Sequence, residues 1–279
     1  MLELSEFVTK ANKLYTLPDI CLQLNSLVNR DSSSVDDIAC LVSHDPALAF
    51  RVLKLANSAL YSRKGNISTI DEAIQKIGTD ELCNIAIATS AALVFKGAGR
   101  NKINLKDYWQ HSVFTAILAQ DLYQLKTKRK HGTMFVAGLL HSIGFLIVLE
   151  RLPYYMVKLD DVVGDEHKER GFEKDTLGFT FVDISSELLK KWQLGDELID
   201  IVSNQFSAHN SESNSLSCEC LNAAIDISDH IFETSHVKSM SIINNISAQH
   251  HLELEPDALS TVIDRSVDSV HNIVKIIQG

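Results

Sequence analysis

Apolar residues recur at intervals of three and four along most of this chain, the spacing of one face of an α-helix. One such segment begins at Asp45-Pro46, and its apolar positions are Leu48, Val52, Leu55 and Ala56. Asp45 supplies an N-cap acceptor, and Pro46 lacks the N–H that a first helical residue leaves unbonded. Sustained alternation with a period of two is almost absent, and 279 residues contain only four prolines. We therefore predict an all-α fold.

A glycine-rich segment at 96–101, without large apolar residues, is the best candidate for an internal boundary. Before it, recurring helix-start signals predict a bundle of short helices, including segments near 3–14 and 19–29. We accordingly divide the chain into an N-terminal helical subdomain, 1–98, and a second helical subdomain, 99–279. Longer helices are predicted in the second at about 106–126, 132–151, 176–193, 196–207, 216–235 and 257–277. The segments 160–174 and 207–217 are predicted to be exposed loops.

Charge and cysteine content narrow the function classes. The net charge of −10 disfavours nucleic-acid binding, because phosphate contacts need a surplus of lysine and arginine. Five scattered cysteines predict reduced thiols and a cytoplasmic location. The acidic residues near Met1 do not resemble the basic start of a signal peptide.

The stretch from Gly132 to Leu149 carries no charged residue and is long enough to be considered as a membrane span. His141, Ser142 and three glycines within it weaken transfer into lipid. A helix that is apolar all round is also what the centre of a helical bundle requires. We therefore predict a buried core helix and no membrane association.

Two stretches resemble the HDOD domain, a bacterial signalling module related to the HD and HD-GYP phosphohydrolases. The first is the D-P-A-L-A…L-K-L-A-N-S-A-L-Y block at 45–61, and it is long and specific. The second combines W-Q-H-S at 109–112 with G-L-L-H-S-I-G at 138–144. The resemblance extends from about Leu17 to about Phe232. It implies an N-terminal helical bundle packed on an HD-like second subdomain.

The resemblance also implies where a metal site would lie. HD hydrolases bind divalent metals through an early histidine, an adjacent His-Asp pair and a later aspartate, and the metals activate water. The matching residues are His111 for the early histidine and His141 for the paired one. Ser142 replaces the paired aspartate, and a neutral hydroxyl is a far weaker ligand. The later aspartate is assigned to Asp226, with Asp229 as the other option.

Further ligands of HD-GYP enzymes are missing as well. Phe181 stands where those enzymes carry a histidine, and Gln205-Phe206 stands in place of a His-His pair. We therefore predict a vestigial HD site, made of His111, His141, Ser142 and Asp226. We expect no metal there and no catalytic residue, although His111, His141 and Asp226 would form a workable ligand set if one ion were bound.

Asn57 and Tyr61 lie four residues apart in the most specific block. One interpretation places them at a contact between the two subdomains or on a ligand groove. The other is that Asn57 caps or bridges the backbone and Tyr61 packs in the core.

These observations predict a non-catalytic signal-transduction module that binds a protein or small-ligand partner across a groove between the subdomains. We expect no cofactor and a monomer or weak homodimer. The alternative is a mononuclear metal-dependent phosphohydrolase acting on a nucleotide or phosphate ester, with His111, His141 and Asp226 as ligands.

Overall fold

The computed structural model describes residues 3–28, 30, 34–61, 66–98, 103–155, 166–206, 215–233 and 239–278. Within these ranges the regular structure is helical and no residue is in a strand, so the predicted all-α class is confirmed. Part of the predicted boundary segment, 99–101, lies outside the described residues. The division into subdomains at 98/99 therefore stays a prediction.

Short helices follow one another in the N-terminal part, and their starts are set by local side chains. Asp37 and Ser34 form a reciprocal capping box, and Asp45 accepts from the amides of Ala47 and Leu48. Gly78, at φ 88°, separates two helices that turn sharply relative to one another. The elements are α1 (Leu4–Asn12), α2 (Asp19–Val28), α3 (Val35–Ser43), α4 (Pro46–Ala56), α5 (Ile70–Ile77) and α6 (Thr79–Val94).

The second part contains longer helices around α7. These are α7 (Leu105–Thr127), α8 (Gly132–Leu140), α9 (Ile143–Arg151), α10 (Glu166–Leu177), α11 (Phe181–Lys191), α12 (Asp196–Ser203), α13 (Ser215–Glu233), α14 (Met240–Gln249) and α15 (Pro256–Gln278). Three differences from prediction stand out. The single helix predicted at 132–151 is broken at His141-Ser142, α14 was not predicted, and much of the predicted loop at 160–174 is the helix α10.

The sequence of α10 is charged and lacks an apolar stripe, which is why it reads as a loop. Its helical form depends on tertiary contacts at a few positions. The Phe172 ring packs on Tyr155, with 5.3 Å between the centroids, and the buried Glu173 carboxylate accepts from the amide of Phe181 at 2.8 Å. The remaining parts of the predicted loops, 160–165 and 207–214, lie outside the described residues.

One continuous hydrophobic core, running from Phe7 to Ile277, joins the two predicted subdomains. Helix α7 packs on α8, α13 and α15, whereas α1 crosses to pack on α11. The buried Trp192 indole donates to the carbonyl of Tyr15 at 2.9 Å and so ties the N-terminal segment to the second part.

The apolar segment Gly132–Arg151, which consists of α8, the break and α9, is the one helical segment of the described residues long and apolar enough to cross a membrane, with a mean hydropathy of 2.0. In the fold 83% of its most apolar window is buried against other helices. Helices α5 and α6 reach the same threshold only as a pair, and they are bent by 116°. The arrangement is compatible with the core of a soluble protein.

Candidate functional site

The predicted metal-binding histidines come together where α7 passes the junction of α8 and α9. His111 lies on α7, and His141 is the C-cap of α8. Their ring centroids are 6.1 Å apart. The fold therefore brings these two histidines close together, although thirty residues separate them in the chain.

His141 is buried and locked in one orientation. Its Nδ1 lies 2.7 Å from the carbonyl oxygen of Gly138, so Nδ1 carries the proton and donates it. Burial, together with the nearby His111, lowers the pKa of His141 to about 4. The ring is consequently neutral at physiological pH, with its lone pair on Nε2.

The structure corrects the choice of the later aspartate. His111 Nε2 lies 2.7 Å from Asp229 Oδ1, whereas the Asp226 carboxylate lies 2.7 Å from Nε2 of His250, at the end of α14. Residues three apart on α13 point about 60° apart around the helix axis, so the two aspartates reach different neighbours. Asp229, the second option from the sequence, is the one that faces His111. The ring of Phe232 covers the same imidazole edge-on at 5.3 Å.

Ser142 has a hydroxyl partner. Its Oγ lies 3.2 Å from the hydroxyl of Tyr108, whose ring stacks on Phe145. Burial raises the pKa of Tyr108 to about 12, so this phenol stays neutral, and either hydroxyl can donate the hydrogen bond. A contact between two neutral hydroxyls replaces the bridging carboxylate of an HD enzyme.

Gln205 and Phe181, at two of the other missing ligand positions, and the nearby Ser185 lie at the break between α8 and α9. Gln205 Nε2 donates to the carbonyl of His141 at 3.3 Å. Ser185 Oγ accepts from the amide of Gly144 at 2.9 Å and lies 3.2 Å from the same His141 carbonyl. Phe181 packs its ring edge-on against Phe145 at 5.8 Å. The two polar side chains, Ser185 and Gln205, satisfy backbone groups that the interrupted helix leaves without an intrahelical partner.

The donor set does not fit a metal centre. Among the described residues, no three His, Cys, Asp or Glu side chains are grouped so that they could hold a metal ion. His111 already donates through Nε2 to Asp229, and Asp226 faces another element. Only the neutral His141 keeps the orientation that a metal-binding imidazole requires.

Asn57 bridges two backbone segments. Its amide nitrogen donates to the carbonyls of Leu53 and Ile67, and its oxygen accepts from the amide of Ile67 at 2.7 Å. This bonding accords with the backbone-bridging interpretation. Tyr61 is buried between the predicted subdomains, with its ring 6.4 Å from that of Phe135.

The family model of the HDOD domain matches residues 14–208. The chain belongs to the HDOD family. A curated relative, an uncharacterized protein of Treponema pallidum (strain Nichols), is 24% identical over 192 residues, which are 67% of this chain and 36% of that protein. The HDOD chain thus spans about a third of the length of the curated relative that it matches.

Solved structures share the HDOD fold over most of the chain. A candidate phosphohydrolase from Shewanella amazonensis SB2B has a TM-score of 0.79 at 24% identity, with 97% of both chains covered. An HDOD domain protein of unknown function from Geobacter sulfurreducens has a TM-score of 0.69 at 20% identity, covering 98% of this chain and 96% of its own. A candidate signal transduction protein from Marinobacter aquaeolei VT8 has a TM-score of 0.67 at 19% identity, covering 94% and 59%. At these identities the likeness shows the fold alone.

A cleft lies between the two predicted subdomains of this HDOD chain, and we term it the intersubdomain cleft. Its volume is about 1000 Å³. Its lining comes from five places: α2, Tyr61, the α5–α6 turn, the start of α8 and the start of α12. The lining residues include Val28, Tyr61, Glu81, His131, Leu194 and Glu197.

A buried carboxylate and a histidine–carboxylate pair line this cleft. Glu81 is 8% exposed, and its Oε1 accepts from the amide of Gln120 at 3.0 Å. Burial raises the pKa of Glu81. His131 Nε2 lies 3.2 Å from Glu197 Oε1, and this hydrogen bond raises the pKa of His131 and lowers that of Glu197.

Apart from Tyr61, sequence reasoning did not single out these cleft residues. One signal was present at Glu81, because this acidic residue is in phase with the apolar stripe of α6 that includes Ile85, Ala88 and Ala92. A charge inside an apolar stripe indicates either a buried polar partner or a binding site. For His131 and Glu197 the local sequence carries no comparable signal.

Proposed function

We propose that this HDOD chain is a non-catalytic regulatory module of bacterial signal transduction that acts by binding a partner. The observation that carries the proposal is the bonding at the predicted vestigial HD site. Ser142 is hydrogen-bonded to Tyr108, and Asp226 is hydrogen-bonded to His250. A hydrolase of this class needs a carboxylate that bridges or anchors metal, and none occupies the position beside His141.

The fold itself is neutral between binding and catalysis. Among similar structures, one is named as a candidate phosphohydrolase and another as a candidate signal transduction protein. The function therefore depends on the chemistry of the residues at the site, not on the fold. Gln205, at one of the missing ligand positions, donates to the carbonyl of His141, as the neighbouring Ser185 does, and this favours a structural use of the region.

The test is a combined measurement of metal content and hydrolysis on protein purified without chelators. Elemental analysis for iron, manganese and zinc should find no stoichiometric metal. Hydrolysis of bis(p-nitrophenyl) phosphate and of nucleotides with added Mn²⁺ should not exceed that of a His141→Ala variant. A stoichiometric metal that is lost in both Asp229→Asn and His141→Ala, with hydrolysis lost alongside, would overturn the proposal in favour of the mononuclear phosphohydrolase.

We further propose a cytoplasmic module that is a monomer or weak homodimer and binds neither nucleic acid nor membrane. The acidic balance of the chain supports the first exclusion, and the burial of its most apolar helical segment supports the second. Light scattering coupled to size-exclusion chromatography, with and without a DNA fragment, tests the oligomeric state and the nucleic-acid exclusion together.

A further inference from the structure

Glu81 is a buried carboxylate that forms no ion pair with any described residue. A neutral group, the side-chain amide of Gln120, donates to Glu81 Oε1 at 3.0 Å. No lysine, arginine or histidine among the described residues forms an ion pair with it. Buried charges in proteins are normally paired, because removing an ion from water without a counter-charge is costly. Glu81 lines the intersubdomain cleft, so a ligand there can supply the missing cation.

The cations nearest to Glu81 are engaged elsewhere. The Lys130 ammonium donates to the carbonyl of Leu60 at 3.0 Å and stands 5.1 Å from the centroid of the Tyr61 ring. His131 is bonded to Glu197. Both cations act to lower the pKa of Glu81, but burial outweighs them, and neither forms an ion pair with this carboxylate.

The helix N-termini at the cleft do not favour an anion, because carboxylates already lie beside them. Helices α6 and α12 begin there, and their N-caps contribute no side-chain hydrogen bond. Each has two acidic residues in its first turn, which complement the positive end of the helix dipole, Asp80 and Glu81 in α6 and Asp196 and Glu197 in α12. The Glu81 carboxylate lies against the N-terminus of α8, since a Cβ built on Gly132 would be 2.1 Å from Glu81 Oε2. An entering anion would therefore meet carboxylates.

The shape of the cleft suits a long basic side chain. Apolar residues line part of it beside the carboxylate, namely Val28, Ile77, Leu194 and Leu198. Lysine and arginine lay an aliphatic stem along such a wall while the charged end reaches a polar group. The volume lies at the upper end of the range of roughly 300 to 1000 Å³ for sites that hold one small molecule, so a short peptide segment fits.

We propose that the intersubdomain cleft binds a basic segment of a protein partner, with an arginine or lysine side chain inserted so that its cation pairs with Glu81. The exposed carboxylates of Asp80 and Asp196 flank the entry and attract the same charge. This inference rests on the proposed binding function and names the chemistry of the partner.

The experiment is an NMR titration of the full chain, labelled with ¹⁵N, with four probes in parallel. These are acetyl-arginine amide, acetyl-lysine amide, acetyl-citrulline amide and inorganic phosphate. Citrulline is the neutral counterpart of arginine, so it isolates the role of charge. We expect saturable shifts of the amides of Gly132, Thr133 and Gly195 with one or both cationic probes, and none with citrulline or phosphate. The stronger of the two cationic probes identifies the preferred side chain.

Two variants separate Glu81 from general electrostatics. Glu81→Gln preserves the shape of the side chain, and loss of a charge-assisted hydrogen bond should weaken binding of the cationic probe at least about tenfold. Glu187→Gln is the matched control, since it makes the same change on α11 outside the cleft and should bind as the parent does. If Glu81→Gln does not fold, Asp196→Asn at the exposed rim should weaken binding by a smaller factor.

Four outcomes would overturn the cation site: equal shifts with citrulline, preferential binding of phosphate, unchanged binding in Glu81→Gln, and no cleft shift with any probe. Each leaves the proposed function to its own test, because metal content and hydrolysis are measured separately. Conversely, metal-dependent hydrolysis would overturn the proposed function whatever the titration shows.

Discussion

At the scale of the residue, the buried His141 makes the stability of the core depend on pH. Its pKa is lowered from 6.5 to about 4 in the folded chain. Between these values the unfolded chain binds the extra proton, so the free energy of unfolding falls as pH drops through 6.5 toward 4. The full difference corresponds to about 3 kcal/mol.

The measurement is urea denaturation between pH 4 and pH 7 of the parent and of His141→Gln. We expect the parent to lose stability over this range more steeply than the variant, which has no imidazole to protonate. Parallel pH profiles for the two proteins would contradict the buried neutral state of His141.

The pair of His131 and Glu197 gives a different dependence of stability on pH. The raised pKa of His131 means that its contribution is complete below 6.5 and is lost as pH rises through the raised value. The lowered pKa of Glu197 means that its contribution is present above 4.5 and is lost as pH falls through the lowered value. The pair therefore stabilises the fold most between about 4.5 and 6.5.

Glu197→Gln should lower the pKa of His131, as followed by its ring proton shifts. The difference in melting temperature between parent and variant should be largest near the middle of that window and should shrink at alkaline pH. An unchanged pKa of His131 in the variant would show that Glu197 is not its main partner.

At the scale of the element, glycines set how closely the central helices approach. A Cβ on Gly138 would lie 2.5 Å from Cα of Ala116 in α7, and one on Gly144 would lie 2.0 Å from the carbonyl oxygen of Phe181. Both contacts are with backbone, which cannot move without shifting a helix. Gly171 in α10 has no heavy atom within 4 Å of the same position.

Gly138→Ala and Gly144→Ala should each destabilise the protein by about 1 to 3 kcal/mol, the usual cost of overpacking. Gly171→Ala is the control, and it should be neutral or stabilising by up to about 1 kcal/mol because alanine favours the helix. Urea midpoints of the three variants measure the difference. Equal effects at the three positions would mean that helix propensity, and not close approach, controls them.

The same elements show why local patterns mispredict some helices. The run from 132 to 151 is apolar throughout, so periodicity gives no sign of the break at His141-Ser142. Distant side chains stabilise the break, as Ser185 and Gln205 bond to the His141 carbonyl. Conversely, α10 lacks periodic apolar residues and is helical because Phe172 and Glu173 find tertiary partners.

At the scale of the whole molecule, the C-terminal helix α15 belongs to the common core although the family model ends at residue 208. It packs on α7, α6 and α4. Arg265 of α15 forms a two-point ion pair with Asp121 of α7, a carboxylate that is 2% exposed. Removing the guanidinium from such a pair leaves a buried charge without its counter-ion.

Arg265→Met, which keeps an apolar stem, should destabilise the chain by about 3 kcal/mol. Because the core is continuous, we expect the variant to unfold in one cooperative transition seen by circular dichroism. Arg129→Met, a change at an exposed turn residue, should stay within about 0.5 kcal/mol of the parent. A separate early transition of the C-terminal helix in Arg265→Met would contradict the shared core.

The sequence alone was sufficient for the helical class, the caps at Ser34 and Asp45, the family and the replacement of an aspartate by Ser142. These features depend on residues close together in the chain or on the chemistry of one side chain. Only the tertiary structure decided between Asp229 and Asp226 as the neighbour of His111, and placed Glu81 in the cleft beside Gln120. Such contacts join positions far apart in sequence, such as His111 and Asp229 across 118 residues. Helical periodicity specifies which face of each helix is apolar, but the packing of whole helices against one another determines which polar side chains meet.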